Sequence, residues 1–568
     1  MRSSLRTRGP AIVLALAAGG LSACGYLSID FLPAGGEEAP DGAADGSDEA
    51  STDGNTVADG GSDVEVDAGR CTGPNCPGVI YVSTIGNDQD PGTAELPMRS
   101  ISAALSKADP KNRNQLYVAG GAYHENVNLV EGVAIVGGFS CSAKPCSWAY
   151  DLKANVTKIN DQRAEGVIAD HSITRATLLD SVTINGAAGA ALGTTPSIAL
   201  SLDSASPIIS KCTILGAINV YDSYAVYITA SVTPSDPSGP LLIGNPLIQA
   251  GTATQFSAGI RAKGGGSGTP LVKAVIALSD VRGGAGLLSY GIRADGNSDV
   301  TMSDNRILGG AASAEAMQSE CESWGVQITE GGKATIERNR INFDAITTTA
   351  TTASCNQTNV CGGVRVGGSD ARIESNAIRG AKAPSSAAVM LAKTASGTPD
   401  IRVNGNTLEG EGTSGTTSAA IVITKLDGDG SVTFGRARNN IMTPGNAANH
   451  YGVLEATLNN SGHQAHFEVL DNNLFLTSAG VMSAAAYAYW DGSMAFYIGS
   501  TQINTAQQLS SFSHNNVVGT PVFAMFPHLM ATSPGIDQGT NSEAPKLDID
   551  NESRPKGNGM DIGADEVK

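Results

Sequence analysis

Between residues 300 and 476 the chain repeats one arrangement of apolar and polar positions. VTMSDNRILGG, ATIERNRINF, ARIESNAIRG, IRVNGNTLEG and FEVLDNNLFL each place an apolar residue three before an asparagine and another two after it. With a period of about 33, the same slot falls at Val182, Cys212, Asn245, Ser279, Asn305, Asn339, Asn376, Asn406, Asn439, Asn472 and Asn515, so eight of eleven slots hold asparagine. A second motif recurs in phase: SAGIRA, SYGIRA, SWGVQI, CGGVRV, SAAVML, SAAIVI and HYGVLE. Its apolar alternation predicts a half-buried strand. Each unit therefore predicts three short strands: one before the asparagine, one after it, and the glycine-led one. Units of this length without helical periodicity stack as a parallel β-helix. Asparagine suits the slot because it tolerates the left-handed bend between the first two strands. Its amide can also hydrogen-bond to the rungs above and below, ~4.8 Å away.

The start of the repeat region fits a solenoid. Residues 80–108 read as a strand, a turn-rich segment and a short amphipathic helix from about Ser100, which would cap the open end of the core; LYVAGGAYHENVNLVEGVAIVGGF then reads as the first coil.

Composition changes the picture mainly at the N-terminus. The chain has 568 residues and a net charge of −19, and eleven acidic residues with no Lys or Arg fall between Gly35 and Gly69. This segment reads as an extended tether, so the acidity belongs largely to a stalk, and a nucleic-acid partner is not expected. Before it, three arginines, an apolar run from Ala11 to Leu21 and the tetrapeptide Leu21-Ser22-Ala23-Cys24 form a lipoprotein signal, with lipidation at Cys24. The predicted organisation is signal peptide 1–23, lipidated cysteine and tether 24–77, β-helix with its N-terminal cap 78–531, and C-terminal cap or tail 532–568. Gly25 after the cysteine agrees with outer-membrane sorting, and surface exposure is expected. Of the other eight cysteines, Cys71 and Cys76, Cys141 and Cys146, and Cys355 and Cys361 are spaced for local disulfides, with Cys321 able to compete in the third pair.

YVSTIGNDQDPGT with SISAAL resembles the N-terminal signature of right-handed parallel β-helix proteins of the pectate-lyase-like superfamily, in the DUF1565 group. The tail SPGIDQGTNSEAPKLDIDNESRPKGNGMDIGADE is similar to the closing segment of exported β-helix proteins. The resemblance covers about Val79 to Glu566 and implies one right-handed β-helix with a polysaccharide groove along one sheet, expected to be the glycine-led one. It does not imply an activity, because this fold hosts many.

Outward positions down that sheet read Arg261, Arg293, Gln327 and Arg365, then Met390, Val422 and Leu454. The first four are the expected ligand contacts, since guanidinium groups pair carboxylates of an acidic glycan bidentately. Lys263 and Arg293 are the candidates for lyase-type catalysis, as base and carboxylate-neutralising cation, with Asp295 and Glu330 nearby. An exposed Met390, Val422 and Leu454 strip would favour self-association. The chain has no Asp-Asp dipeptide and no carboxylate pair that can be placed for inverting hydrolysis. Asp548, Asp550, Asn551 and Glu552 offer oxygen donors for calcium, without EF-hand spacing. No cofactor other than such a calcium is expected. The expected function is a surface-anchored rod that binds glycan or is structural; the alternative is an acidic-polysaccharide lyase or epimerase.

Overall fold

In the computed structural model the described residues are 76–160, 164–187, 193–266, 268–312, 322–343, 360–393, 399–412, 417–425, 432–457, 465–476, 485–490, 494–506 and 509–567. The signal peptide, Cys24, nearly all of the tether, Cys71, Cys321 and Cys355 lie outside them.

Three parallel sheets wind the described chain into a right-handed β-helix. Sheet 1 has fourteen strands, from Val79–Val82 to Ser513–His514, and sheet 2 has thirteen, from Gly121–Tyr123 to Val517–Val518. Sheet 3, built from the glycine-led strands, also has thirteen; its last pairing, Tyr487–Trp490 with Met494–Tyr497, is antiparallel. One coil shows the order: Ser298–Ser303 in sheet 1, Arg306–Leu308 in sheet 2 and Glu322–Thr329 in sheet 3, before Lys333–Glu337 returns to sheet 1. About thirteen coils at strand spacing make a rod ~60 Å long. Period-2 alternation turns Val300 and Met302, Ile307, and Val326 and Ile328 into one continuous core.

The asparagine ladder is present, but two jobs assigned above to one residue are divided between neighbours. The left-handed bend sits one residue earlier, at Gly244, Asp304, Arg338, Ser375 and Gly405, with φ between 54° and 65°. The ladder residue follows it, extended and buried. Asn305 donates its backbone N–H (3.0 Å) and Nδ2 (3.0 Å) to Asn339 Oδ1, and Nδ2 also reaches Ile276 O (2.8 Å). Asn339, Asn376 and Asn406 repeat the pattern onward, and Asn245 receives the N–H of Cys212 below them (2.9 Å). The slots given above as Asn439, Asn472 and Asn515 are therefore corrected by one. Those three are the left-handed residues, at φ 54°, 50° and 53°, and the ladder runs through Asn440, Asn473 and Asn516. In each of these three coils both adjacent positions are asparagine, so the sequence alone left the register ambiguous.

Glycine leads the sheet 3 strands because the backbone there passes close to sheet 2. A Cβ on Gly325 would lie 2.4 Å from Ile341 Cγ2, and one on Gly363 would lie 2.3 Å from Ile378 Cγ2. The position admits only Gly or, where the neighbour recedes, Ala.

Both ends of the core are closed by short helices. Helix α1 (Ile101–Lys107) buries Ile101, Ala104 and Leu105. Its free N–H groups are taken by carboxylates, Asp88 accepting from Arg99 and Ser100 and Glu125 from Ile101 and Ser102. At the far end Ile503 of α2 (Ser500–Thr505), with Leu509 and Phe512, seals the last coil. Asn504 ends the ladder by accepting the Asn516 N–H (3.0 Å).

Residues 532–567, the segment read as cap or tail, run back as a strap along the bends between sheets 1 and 2. Gly563 N–H bonds Asn439 O (2.8 Å), Asn404 Nδ2 bonds Glu543 O (2.6 Å), Ser375 Oγ bonds Leu547 O (2.7 Å), and Asn551 Nδ2 bonds Asp304 Oδ1 (3.1 Å). The polar residues at and beside the left-handed bends supply these partners. Arg554 and Glu566, paired at 2.9 Å and both fully buried, tie the strap to itself.

Cys141 and Cys146 form a disulfide. Cys76 is also disulfide-bonded, and its expected partner lies outside the described residues. Cys361 is buried on its sheet 3 strand, with both expected partners outside the described residues.

Candidate functional site

Sheet 3 registers its outward side chains in stripes. Tyr227, Arg261, Arg293, Gln327, Arg365, Met390, Val422 and Leu454 occupy one stripe on consecutive strands. The adjacent stripe carries Tyr224, Ala258, Tyr290, Trp324 and Gly362. This aromatic stripe was missed from the sequence, although its signal was there: the residue before the leading glycine is Tyr in SYGIRA and Trp in SWGVQI.

The arginines are already paired. Asp295, 2% exposed, accepts from Arg261 Nε (3.1 Å), Arg293 Nε (2.6 Å) and Thr329 Oγ1 (2.9 Å). Arg261 lies over Tyr224 and Phe256, and Arg293 over Phe256 and Tyr290, at 5.0 to 5.5 Å from ring centroids. Their NH1 groups donate to the Tyr224 and Tyr290 hydroxyls at 2.7 and 3.2 Å. Burial raises the pKa of both phenols and of Asp222, which accepts from Tyr224 (3.3 Å). Arg365 pairs with Glu322, which also accepts from Gln327 Nε2 (3.1 Å) and the Tyr290 hydroxyl (3.3 Å). Lys263 is exposed at the end of its strand, in register with Asp295, and Glu330 is exposed in the following turn. The expected open cationic row is thus held by protein contacts: Arg261 and Arg293 stack on aromatic rings and share one carboxylate, and Arg365 has its own.

Where the two stripes meet, three buried polar atoms have no hydrogen-bond partner: Trp324 Nε1, Gln327 Oε1 and Arg365 Nε. Trp324 and Gln327 share a strand, and Gln327 registers directly with Arg365. Leu288, Val360 and Met390 pack against the apolar cluster that contains Trp324 and Tyr290. Two donors and one acceptor left unsatisfied on one patch is costly, because each such group forfeits its hydration.

The other half of the stripe is apolar but not an exposed strip. Val422 is buried, and Met390 and Leu454 are half-buried against Tyr451, Ala488 and Ile498. Beneath it, on the inward face, is Glu455, which no sequence argument singled out. It is 1% exposed, accepts from the Tyr487 hydroxyl, and its Oε2 has no partner. Burial pushes its carboxyl up to about 8.

The residues offered for calcium diverge. Asp548 Oδ1 accepts the N–H groups of Asp550 (2.9 Å) and Glu552 (2.8 Å), shaping a turn, and burial pushes this carboxyl up to about 6. Glu552 pairs with Lys556. Asp550 instead meets His528 and Asp565; among the described residues these three form the group of potential metal-ligating side chains, with their ligand atoms all within 4.8 Å of one another. Hydrogen bonds donated by its ring to the two carboxylates raise His528 to about 9.

No family model matches the chain, and no curated protein matches it. Among solved structures it is similar to a crystal structure of pectate lyase Pel9A, at 13% identity over 86% of this chain and 96% of that one, with a TM-score of 0.34.

Proposed function

We propose that this protein is a cell-envelope lipoprotein, anchored through Cys24 and set off the membrane by its acidic tether, whose β-helix binds glycan on sheet 3 around Trp324, Gln327 and Arg365. The DUF1565-like start and the outer-membrane location belong to the same reading. The observation that carries it is the unpaired set of Trp324 Nε1, Gln327 Oε1 and Arg365 Nε. Sugar hydroxyls donate and accept at once and would satisfy all three once the half-buried side chains of Leu288, Val360 and Met390 shift to uncover them and present an apolar wall to a ring face. Binding is favoured over catalysis because Arg261 and Arg293 are held against Asp295 and the rings beneath them, so their Nε groups are already engaged by the protein. Recognition then depends on hydroxyl geometry more than on substrate charge.

The test is retention of the chain from residue 25 on a panel of neutral and uronate polysaccharides, followed by absorbance for unsaturated product. Saturable retention is expected on at least one glycan, weakened about tenfold in Trp324→Phe combined with Gln327→Leu, with no absorbance gain. Retention that ignores both substitutions would remove this patch. Unsaturated product lost with Lys263→Ala or Arg293→Ala would establish the lyase instead.

A further inference from the structure

We infer that His528, Asp550 and Asp565 form a zinc site that clasps the C-terminal strap. The three ligands come from separate segments: His528 from the hairpin of Phe523–Met525 with His528–Leu529, Asp550 from the turn shaped by Asp548, and Asp565 from the last described residues. His528 Nδ1 lies 3.1 Å from Asp550 Oδ2 and 3.4 Å from Asp565 Oδ1. Ligand bonds of ~2.0 to 2.1 Å in a tetrahedron put donor atoms ~3.3 Å apart, so these separations, spanned by Nδ1–H hydrogen bonds in the metal-free chain, suit two edges of a zinc coordination shell once zinc displaces that proton to solvent.

Each carboxylate also has its second oxygen fixed by the protein. Asp565 Oδ2 accepts the N–H of Leu529 (2.8 Å), and Asp550 Oδ1 accepts from Arg340 NH2 of sheet 2 (3.3 Å). The remaining oxygens, Asp550 Oδ2 and Asp565 Oδ1, therefore point at one nitrogen. Such outer contacts orient metal ligands and sharpen affinity. One imidazole with two carboxylates selects a borderline cation such as zinc, whereas calcium takes six to eight oxygens. Three protein ligands leave a fourth position for water, and the partly exposed His528 and Asp550 leave the site reachable. Zinc here would join the hairpin, the turn and the terminal segment in one clasp and, through Arg340, hold them to the coils.

The experiment uses the full chain, freed of metal with chelator and titrated with zinc chloride by calorimetry. Cobalt(II) absorption reports coordination geometry. One saturable site per chain is expected, with intense tetrahedral cobalt bands. His528→Gln and Asp550→Asn should each weaken zinc by more than about tenfold. Asp370→Asn, which removes an exposed carboxylate on sheet 1, should leave it unchanged. Zinc should also slow proteolysis of the strap in the wild type and in neither ligand variant. No saturable binding, or binding equal in the wild type and Asp550→Asn, would overturn the inference. Asp550 is partly exposed and Asp550→Asn is isosteric, so this variant decides the matter if His528→Gln does not fold.

Discussion

Glu455 allows a worked prediction of how this solenoid responds to pH. Its carboxyl faces the core in register with Ile423, 1% exposed, and burial raises it from 4.5 to about 8. The folded chain therefore keeps the proton up to about pH 8, while the unfolded chain releases it from about pH 4.5 upward. Stability from this group is fully present below pH 4.5, falls between 4.5 and 8, and is flat above. At 1.36 kcal/mol per unit, the loss is about 3 kcal/mol by pH 7 and about 5 kcal/mol once pH exceeds the folded value. Glu455→Gln removes the titration but leaves an extra unpaired N–H, costing ~1 to 3 kcal/mol at every pH. The diagnostic is thus the slope, not the value at one pH. Because coils of a solenoid depend mainly on their neighbours, the assay is urea denaturation at pH 5, 7 and 9, with hydrogen exchange read on peptides spanning 449–457. Because His528 and Asp548 titrate alike in both proteins, the wild type should lose ~4 kcal/mol more than Glu455→Gln across that range. Parallel pH profiles for the two proteins would refute the reasoning.

The ladder register is tested by a neighbouring pair. Asn516→Ala orphans the Asn473 N–H and the Leu470 carbonyl in the core and should cost ~3 kcal/mol or more, while Asn515→Gly, exposed and at a left-handed φ of 53°, should cost less than ~1 kcal/mol by urea denaturation. Gly325→Ala forces a Cβ to 2.4 Å from Ile341 Cγ2 and should destabilise by ~1 to 3 kcal/mol; Ile341→Val in the same chain should not recover the loss, since Cγ2 remains. Glu566→Gln leaves the fully buried Arg554 without its carboxylate; a loss of ~3 to 5 kcal/mol from the strap should appear as early proteolytic cleavage after residue 532, with the coils still protected.

Much of the fold was legible because a solenoid writes its periodicity into the chain. Ile336, Ile373 and Val403 recur because each coil buries the same face, and the glycine-led strands recur because Ile341 and Ile378 leave room for no Cβ. The outward stripe of sheet 3 was legible for the same reason, since alternation alone brings Arg261, Arg293, Gln327 and Arg365 together. Their electrical state was not legible. Asp295 sits two residues beyond Arg293, yet its bond to Arg261 crosses between coils, and nothing local shows that one carboxylate serves both.

The sequence by itself determined the three-stranded repeat, the asparagine row to within one residue, the helical seal at the N-terminal end and the candidate face, because each rests on local spacing repeated at a constant period. Only the tertiary structure decided which asparagine of each doubled pair enters the core, that Arg261 and Arg293 share one carboxylate, that the tail is a strap, and that His528 meets Asp550 and Asp565. These depend on contacts between segments such as Asp304 with Asn551 and Asn404 with Glu543, whose separation along the chain carries no period from which to read them.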